Sequence, residues 1–193
     1  MPEEAEIKAK GALLVPLALI INSMKDTNWV GVAGVSEQDL KIVRKGILAS
    51  QWYDRSLMER LATAVFIVTG QSKPEMAYQF GYGIMAETLL KVYRSPLTAH
   101  DPKEIMSKFA DFYCGTWFNR AEARFTATGK GGVFKVTDPD GIPCQVCFVP
   151  MMRGVFARLV TENGGKNVKV VAEEEPLIHS QKITTLTLNV SWE

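Results

Sequence analysis

The chain has 193 residues, of which 47% are apolar and 22% charged, and 22 basic against 21 acidic side chains leave a formal net charge of +1. That composition excludes disorder and collagen-like or low-complexity classes, and the balanced charge argues against a nucleic-acid binder that works by counterion release. At about 150 residues per domain this is one domain, and a chain of this size buries roughly 70% of its unfolded surface, enough for a core without disulfide or metal staples.

The front of the chain reads as helical. The apolar run Gly11 to Ile21 belongs to a buried helix over 7–24 that Pro16 kinks. It is too short for a membrane span, which takes ~20 residues. Glu3, Glu4 and Glu6 make the segment before it acidic, and no small-x-small cleavage site follows, which argues against a signal peptide. With three cysteines, an odd number, a reducing compartment is expected, and the cytoplasm is the expected location. Residues 26–35 read as an extended loop. Ser36 is a helix N-cap with Asp39 three residues on, and Gly46 ends that helix.

After an extended stretch over 47–53, Asp54 caps a helix that carries Leu57, Leu61, Ala64, Val65 and Val68 at helical spacing. Ser72, Pro74 and Glu75 then predict the start of a helix running to about Tyr93, with Gly81 and Gly83 inside it for close helix packing. Asp101-Pro102 starts a further helix to about Cys114.

The texture then changes to strands. Alternation through Ala121, Ala123, Phe125 and Ala127, a turn at 129–132, and Phe134 with Val136 predict a hairpin, followed by a turn at Pro139-Asp140-Gly141. A helix returns between Cys147 and Val160 and ends at Asn163-Gly164-Gly165. Val168 to Ala172 and the strictly alternating Leu186, Leu188, Val190 and Trp192 are strands. The expected class is therefore α+β, a single domain with a helical part over about 7–116 and a strand-rich part over about 120–193.

Few residues carry chemistry on their own. Cys144-Gln-Val-Cys147 with Cys114 and His100 or His179 has the donors of a Cys₃His zinc site, but there is one CxxC and no second ligand pair. As a redox motif it lacks a strand-then-helix setting, and small apolar cysteines at a helix start are the plainer reading. Gly81-Tyr82-Gly83 and the glycines of 129–132 match no phosphate-binding loop, and no nucleophile-elbow motif is present. Glu173-Glu174-Glu175 reads as a solvated loop, and Arg153 as either an exposed helix residue or a group that orients an acidic ligand. No catalytic and no metal-ligating residue is assigned.

The candidate ligand-binding residues are aromatic and thioether side chains: Trp52, Tyr53, Tyr78, Tyr82, Tyr113, Trp117, Phe148 and Met152. Polar-tipped rings in this number line pockets and interfaces as often as they fill cores.

Several segments together support a resemblance. They are Lys10-Gly11 opening an apolar helix, the stretch from Ile47 to Asp54, and Ala77-Tyr-Gln-Phe-Gly81. Trp117-Phe-Asn-Arg-Ala-Glu-Ala123, Gly154, the stretch from Gly164 to Val170, and Val190-Ser-Trp192 complete the set. In these the chain resembles the bacterial 4-vinyl-reductase-like domains, in a stand-alone branch of the superfamily that also holds the H-NOX haem-nitric-oxide sensors and the TRAPP vesicle-tethering subunits. The resemblance implies a helical layer on a twisted antiparallel sheet, a homodimer, and a pocket for a small hydrophobic or aromatic ligand. Zinc-bearing members place cysteines in the last strands, and nothing after Cys147 is Cys. In haem-binding relatives the proximal His lies on the helix corresponding to 105–114, which has no His here; the nearest position is Tyr113, and the Tyr-x-Ser-x-Arg propionate clamp is missing.

The expectation is thus a cytoplasmic, non-catalytic sensor or adaptor, homodimeric, with a small hydrophobic ligand or a protein partner, no nucleic acid, and no cofactor, neither haem nor zinc. A ligand-free tethering scaffold and a tetrapyrrole carrier or reductase relative are the alternatives.

Overall fold

The computed structural model describes residues 6–95, 97–143, 145–173 and 183–193, with the Gln145 side chain left out. Seven α-helices and six strands are found among them, in the order β1 (Lys8–Lys10), α1 (Gly11–Ser23), α2 (Glu37–Lys45), β2 (Trp52–Asp54), α3 (Arg55–Gly70), α4 (Pro74–Phe80), α5 (Ala86–Val92), α6 (Pro102–Tyr113), β3 (Glu122–Ala127), β4 (Gly131–Thr137), α7 (Gln145–Glu162), β5 (Lys169–Ala172) and β6 (Thr185–Ser191). The α+β class holds: helices precede an antiparallel four-stranded sheet of order β3-β4-β6-β5, and β1 pairs with β2 in a separate ribbon.

Local chemistry accounts for most boundaries. Ser36 and Asp39 form a reciprocal capping box: the Ser36 hydroxyl accepts from the Asp39 amide at 3.1 Å, and the Asp39 carboxylate accepts from the Ser36 amide at 2.9 Å. Arg60 of α3 grips the same carboxylate at 2.7 and 2.9 Å, and this guanidinium holds Asp39 below the usual carboxylate range. Asp54 and Asp101 cap α3 and α6 as expected.

Four details differ from the sequence reading. The helix expected over 7–24 spans Gly11–Ser23, because Lys8–Lys10 is extended and pairs with β2. The N-cap of α4 is Lys73, not Ser72, because Gln71 and Ser72 both take left-handed backbone and the chain is still reversing there. The helix expected from Ser72 to Tyr93 runs continuously over 74–92, with a π-helical turn at Gly81–Met85 joining α4 to α5. The loop at 26–35 contains a 3₁₀ turn at Val32–Gly34 and buries Trp29.

One apolar cluster joins the helices to the sheet. Phe134 and Val136 of β4 and Leu188 of β6 are fully buried against Phe109 of α6 and Phe156 of α7. Phe109 and Phe156 meet edge-on at 5.0 Å, and Phe134 and Phe156 at 4.6 Å, favourable geometries for ring quadrupoles. At one edge of this cluster, Arg55 donates to the Asp138 carboxylate at 2.7 Å and to the Asp140 carbonyl at 3.1 Å, tying the start of α3 to the turn after β4. Both charges are buried. Burial pushes the Asp138 carboxyl up, and Arg55 opposes that rise.

Two glycines set how closely α7 approaches α4. A Cβ on Gly154 would overlap the Tyr78 carbonyl, and a Cβ on Gly81 would overlap the Met151 carbonyl, so each helix sits its bare backbone on the other. Gly83 faces open space and has no such role. Gly154→Ala is therefore expected to cost about 1–3 kcal/mol or more through forced separation of the helices. Gly83→Ala is expected to be neutral or to gain up to ~1 kcal/mol of helix propensity. Urea unfolding of the two variants measures the contrast, and equal effects would refute the close-approach role.

Candidate functional site

The site is built from residue pairs one helical turn apart. Leu13 and Leu17 on α1, Met58 and Ala62 on α3, and Phe109 and Tyr113 on α6 each present an i,i+4 pair to a common space. Met85 and Leu89, flanking the start of α5, and Phe148 and Met152 on α7 complete the set. Residues four apart lie on one face of a helix, so five such pairs wall an apolar cavity of about 30 Å³, with Trp117 and Phe118 closing it. Space of about that volume, enough for two waters or one small gas molecule, admits only a gas-sized guest as packed. Four thioethers, from Met58, Met85, Met151 and Met152, line it, and unbranched methionines repack at low cost.

Two polar atoms of the lining residues stand out as buried without a hydrogen-bond partner among the described residues, the Tyr113 hydroxyl and the Trp117 indole N–H, the latter beside Tyr93. The Tyr113 hydroxyl is completely buried and has no hydrogen-bond partner among the described residues. Burial pushes its pKa well above the usual phenol range; the Asp138 carboxylate adds to the rise and the Arg55 guanidinium opposes it. Tyr113 is therefore a neutral phenol whose donor and acceptor are both unspent.

Of the sequence-predicted residues, Tyr113, Trp117, Phe148 and Met152 share this cavity wall. Tyr78 and Tyr82 do not line it and stack with ring centroids 6.3 Å apart, with Arg158 5.5 Å from the Tyr82 ring. Trp52 and Tyr53 lie on β2, where Lys10 sits 4.4 Å over the Trp52 ring and the Tyr53 oxygen accepts from the Leu48 amide at 2.9 Å. Met58, Met85, Leu89, Phe109, Phe118 and Val155 were not anticipated as lining residues. Their i,i+4 pairing was visible in the sequence, but nothing there says that five such pairs converge.

The other sequence candidates separate. The Cys114 thiol accepts from the Ala123 amide at 2.9 Å, while Cys147 is buried in α7. Cys144, His179, Glu174 and Glu175 lie outside the described residues. Among the described residues no group of three or more His, Cys, Asp or Glu could hold a metal ion. The Arg153 guanidinium donates to the Val170 carbonyl at 2.9 Å, and the His100 amide, in a loop, donates to Asn163. No described helix is long and apolar enough to cross a membrane.

No family model matches the sequence, and no curated protein does. Solved structures do match the fold. An H-NOX protein from K. algicida, solved in its unliganded Fe(II) form, superposes with a TM-score of 0.66 at 10% identity, covering 95% of this chain and 96% of that one. An oxygen-binding H-NOX domain related to soluble guanylate cyclases gives 0.62 at 11% identity over 95% of each chain. A structure probing the function of haem distortion in the H-NOX family gives 0.61 at 12% identity, again over 95% of each. The chain has the H-NOX fold; these neighbours do not support the 4-vinyl-reductase or TRAPP side of the resemblance.

These neighbours also correct the expectation of no cofactor. The reading set haem aside because helix α6 has no His, yet the fold is shared with proteins whose structures concern haem distortion and oxygen binding. Haem is therefore a candidate for this chain. Among the lining residues Tyr113 carries an oxygen of a type known to ligate haem iron, although its hydroxyl is buried within the field of the Arg55–Asp138 pair, and four methionines carry sulfur. No Lys, Arg or His is among the described lining residues, and the room as packed is far smaller than a macrocycle. The donor type fits, while the room as packed does not hold a macrocycle.

An unpartnered buried hydroxyl costs about 1–3 kcal/mol. Tyr113→Phe is thus expected to raise stability by about 1 kcal/mol, or ~2–4 °C in Tm for a chain of this length. The comparison belongs at pH 7, where Tyr113 is a phenol in both folded and unfolded chains. A loss of stability would show that the hydroxyl has a partner.

Proposed function

We propose that this chain is a non-catalytic, ligand-binding sensor domain whose ligand occupies the cavity between α1, α3, α6 and α7. The observation that carries the reading is the Tyr113 hydroxyl, buried and unpaired at the wall of an apolar cavity. Proteins rarely retain such a group without a use for it. The H-NOX fold of the chain supports a ligand-binding role.

The ligand class is a small, largely apolar molecule that spends its one polar contact on Tyr113. Haem is the first candidate to test. Tyr113 would be the residue that holds its iron, and when bound haem would supply a redox-active, gas-binding metal centre. The chain's own part is to exclude water with Leu13, Leu17, Leu89 and Phe109, to yield space through its methionines, and to keep the phenol proton until a ligand takes its place. A ligand that binds one packing of the helices against the sheet better than another shifts the population toward it. The output would pass to a second copy of the chain or to another protein, through apolar side chains left exposed such as Leu19 and Ile67.

Titration with hemin and, separately, with the uncharged aromatic indole tests the reading. At a hundredfold excess over Kd, a ligand adds ~2.7 kcal/mol of stability, or about 5–10 °C in Tm at this size. A saturable 1:1 Soret change that Tyr113→Phe weakens at least tenfold would establish haem at this site. A Tm rise with indole that the same substitution weakens would establish an apolar aromatic ligand instead. Neither ligand raising Tm, or the variant binding both as well as the wild type, would refute the site.

A further inference from the structure

A second, larger cavity of about 330 Å³ lies behind the first, between α1, α3, α4, the π-helical turn and α7. The two share Leu17, Ala62, Cys147 and Met151 as a common wall. The second cavity runs from surface to core: Met76 and Ile84 at one end are 46% and 45% exposed, while Leu17 and Cys147 at the other are 2% and 6% exposed. Its volume falls at the lower end of small-molecule sites, about 300–1,000 Å³.

The lining dictates the ligand's chemistry. No Asp, Glu, Lys, Arg or His is among its described lining residues. Thr69 already donates its hydroxyl to the Val65 carbonyl at 2.7 Å. Gln79, which is exposed, is the lining side chain with an amide to offer. A charged group drawn inside would find no counter-charge on these walls and would lose its hydration. An apolar body with one uncharged polar end at the mouth meets both conditions.

We propose that this cavity binds a neutral alkyl amphiphile of the medium-chain fatty-alcohol class. The tail lies toward Cys147 and Met151, and the hydroxyl sits near Gln79. Met76 and Ile84 flank the entrance, where the exposed apolar surface first meets the chain. Each added methylene buried in the cavity tightens binding about three- to fourfold. This second site stands independently of what fills the first cavity.

Methyl-¹³C methionine labelling of the whole chain distinguishes the two cavities. Met76 lines the second alone, Met151 lines both, and Met58 and Met85 line the first alone. Titration with 1-octanol and 1-decanol should move the Met76 and Met151 methyl signals saturably, with decanol about tenfold tighter and Met58 and Met85 unmoved. Decanoate at pH 7 should bind at least tenfold more weakly than decanol. Met76→Glu, at an exposed position that folding tolerates, should weaken decanol at least tenfold as read at Met151. The proposal is overturned by no saturable shift up to the solubility limit, by shifts at Met58 and Met85 instead, by equal affinity for octanol and decanol, or by decanoate binding as tightly as decanol.

Discussion

The bare-backbone contact between α4 and α7 is the constraint on which the rest of the site depends. Ordinary helix pairs are held 8–10 Å apart by their side chains. Here Gly81 and Gly154 remove the spacer on both partners, and the Met151 and Tyr78 carbonyls occupy the space that two Cβ atoms would take. That contact fixes α7 at the point where Cys147 and Met151 form the wall between the two cavities. The π-helical turn begins at Gly81 itself, and such turns recur at functional positions in helices. Pro150, inside α7, removes one backbone hydrogen bond beside the same wall.

The site joins a fixed frame to yielding contents. The frame is the edge-on ring cluster of Phe109, Phe134 and Phe156 beneath the helices, together with the buried Arg55–Asp138 pair at the start of α3. The contents are methionines, which exchange rotamers cheaply. Rotamer changes of these methionines are the cheapest way for the wall to make room for a guest. Tyr113 belongs to both parts: its ring packs against Phe118 at 4.8 Å, and its hydroxyl is left without a partner among the described residues.

Much of this fold was legible in the sequence because the signals were local. The capping box at Ser36 and Asp39, the caps at Asp54 and Asp101, the hairpin of β3 and β4, and the strict alternation of β6 were all read from residues close in the chain. The features missed were not local. The ribbon of β1 and β2 pairs strands of three residues each, too short for any period to show. The π-helical turn adds a residue to a helix whose apolar pattern continues through it. Tyr113, Trp117, Phe148 and Met152 were identified as candidates by residue type, and tertiary convergence of α6 and α7 puts them on one wall, while Tyr78 and Tyr82 stack with each other away from that wall. Haem was set aside on two missing motifs, the histidine of the 105–114 helix and the propionate clamp, and neither motif reports on the fold, which is shared with haem proteins.

The central claim is that the cavity beside Tyr113 is a real, dry space that accepts an apolar guest. Xenon pressurisation of crystals of the whole chain tests it most directly, because apolar cavities of this kind stay dry and take up xenon. The account predicts a xenon atom bounded by Tyr113, Phe148 and Met152, lost when Leu89→Trp fills the space. No xenon at that position in the wild type would contradict it.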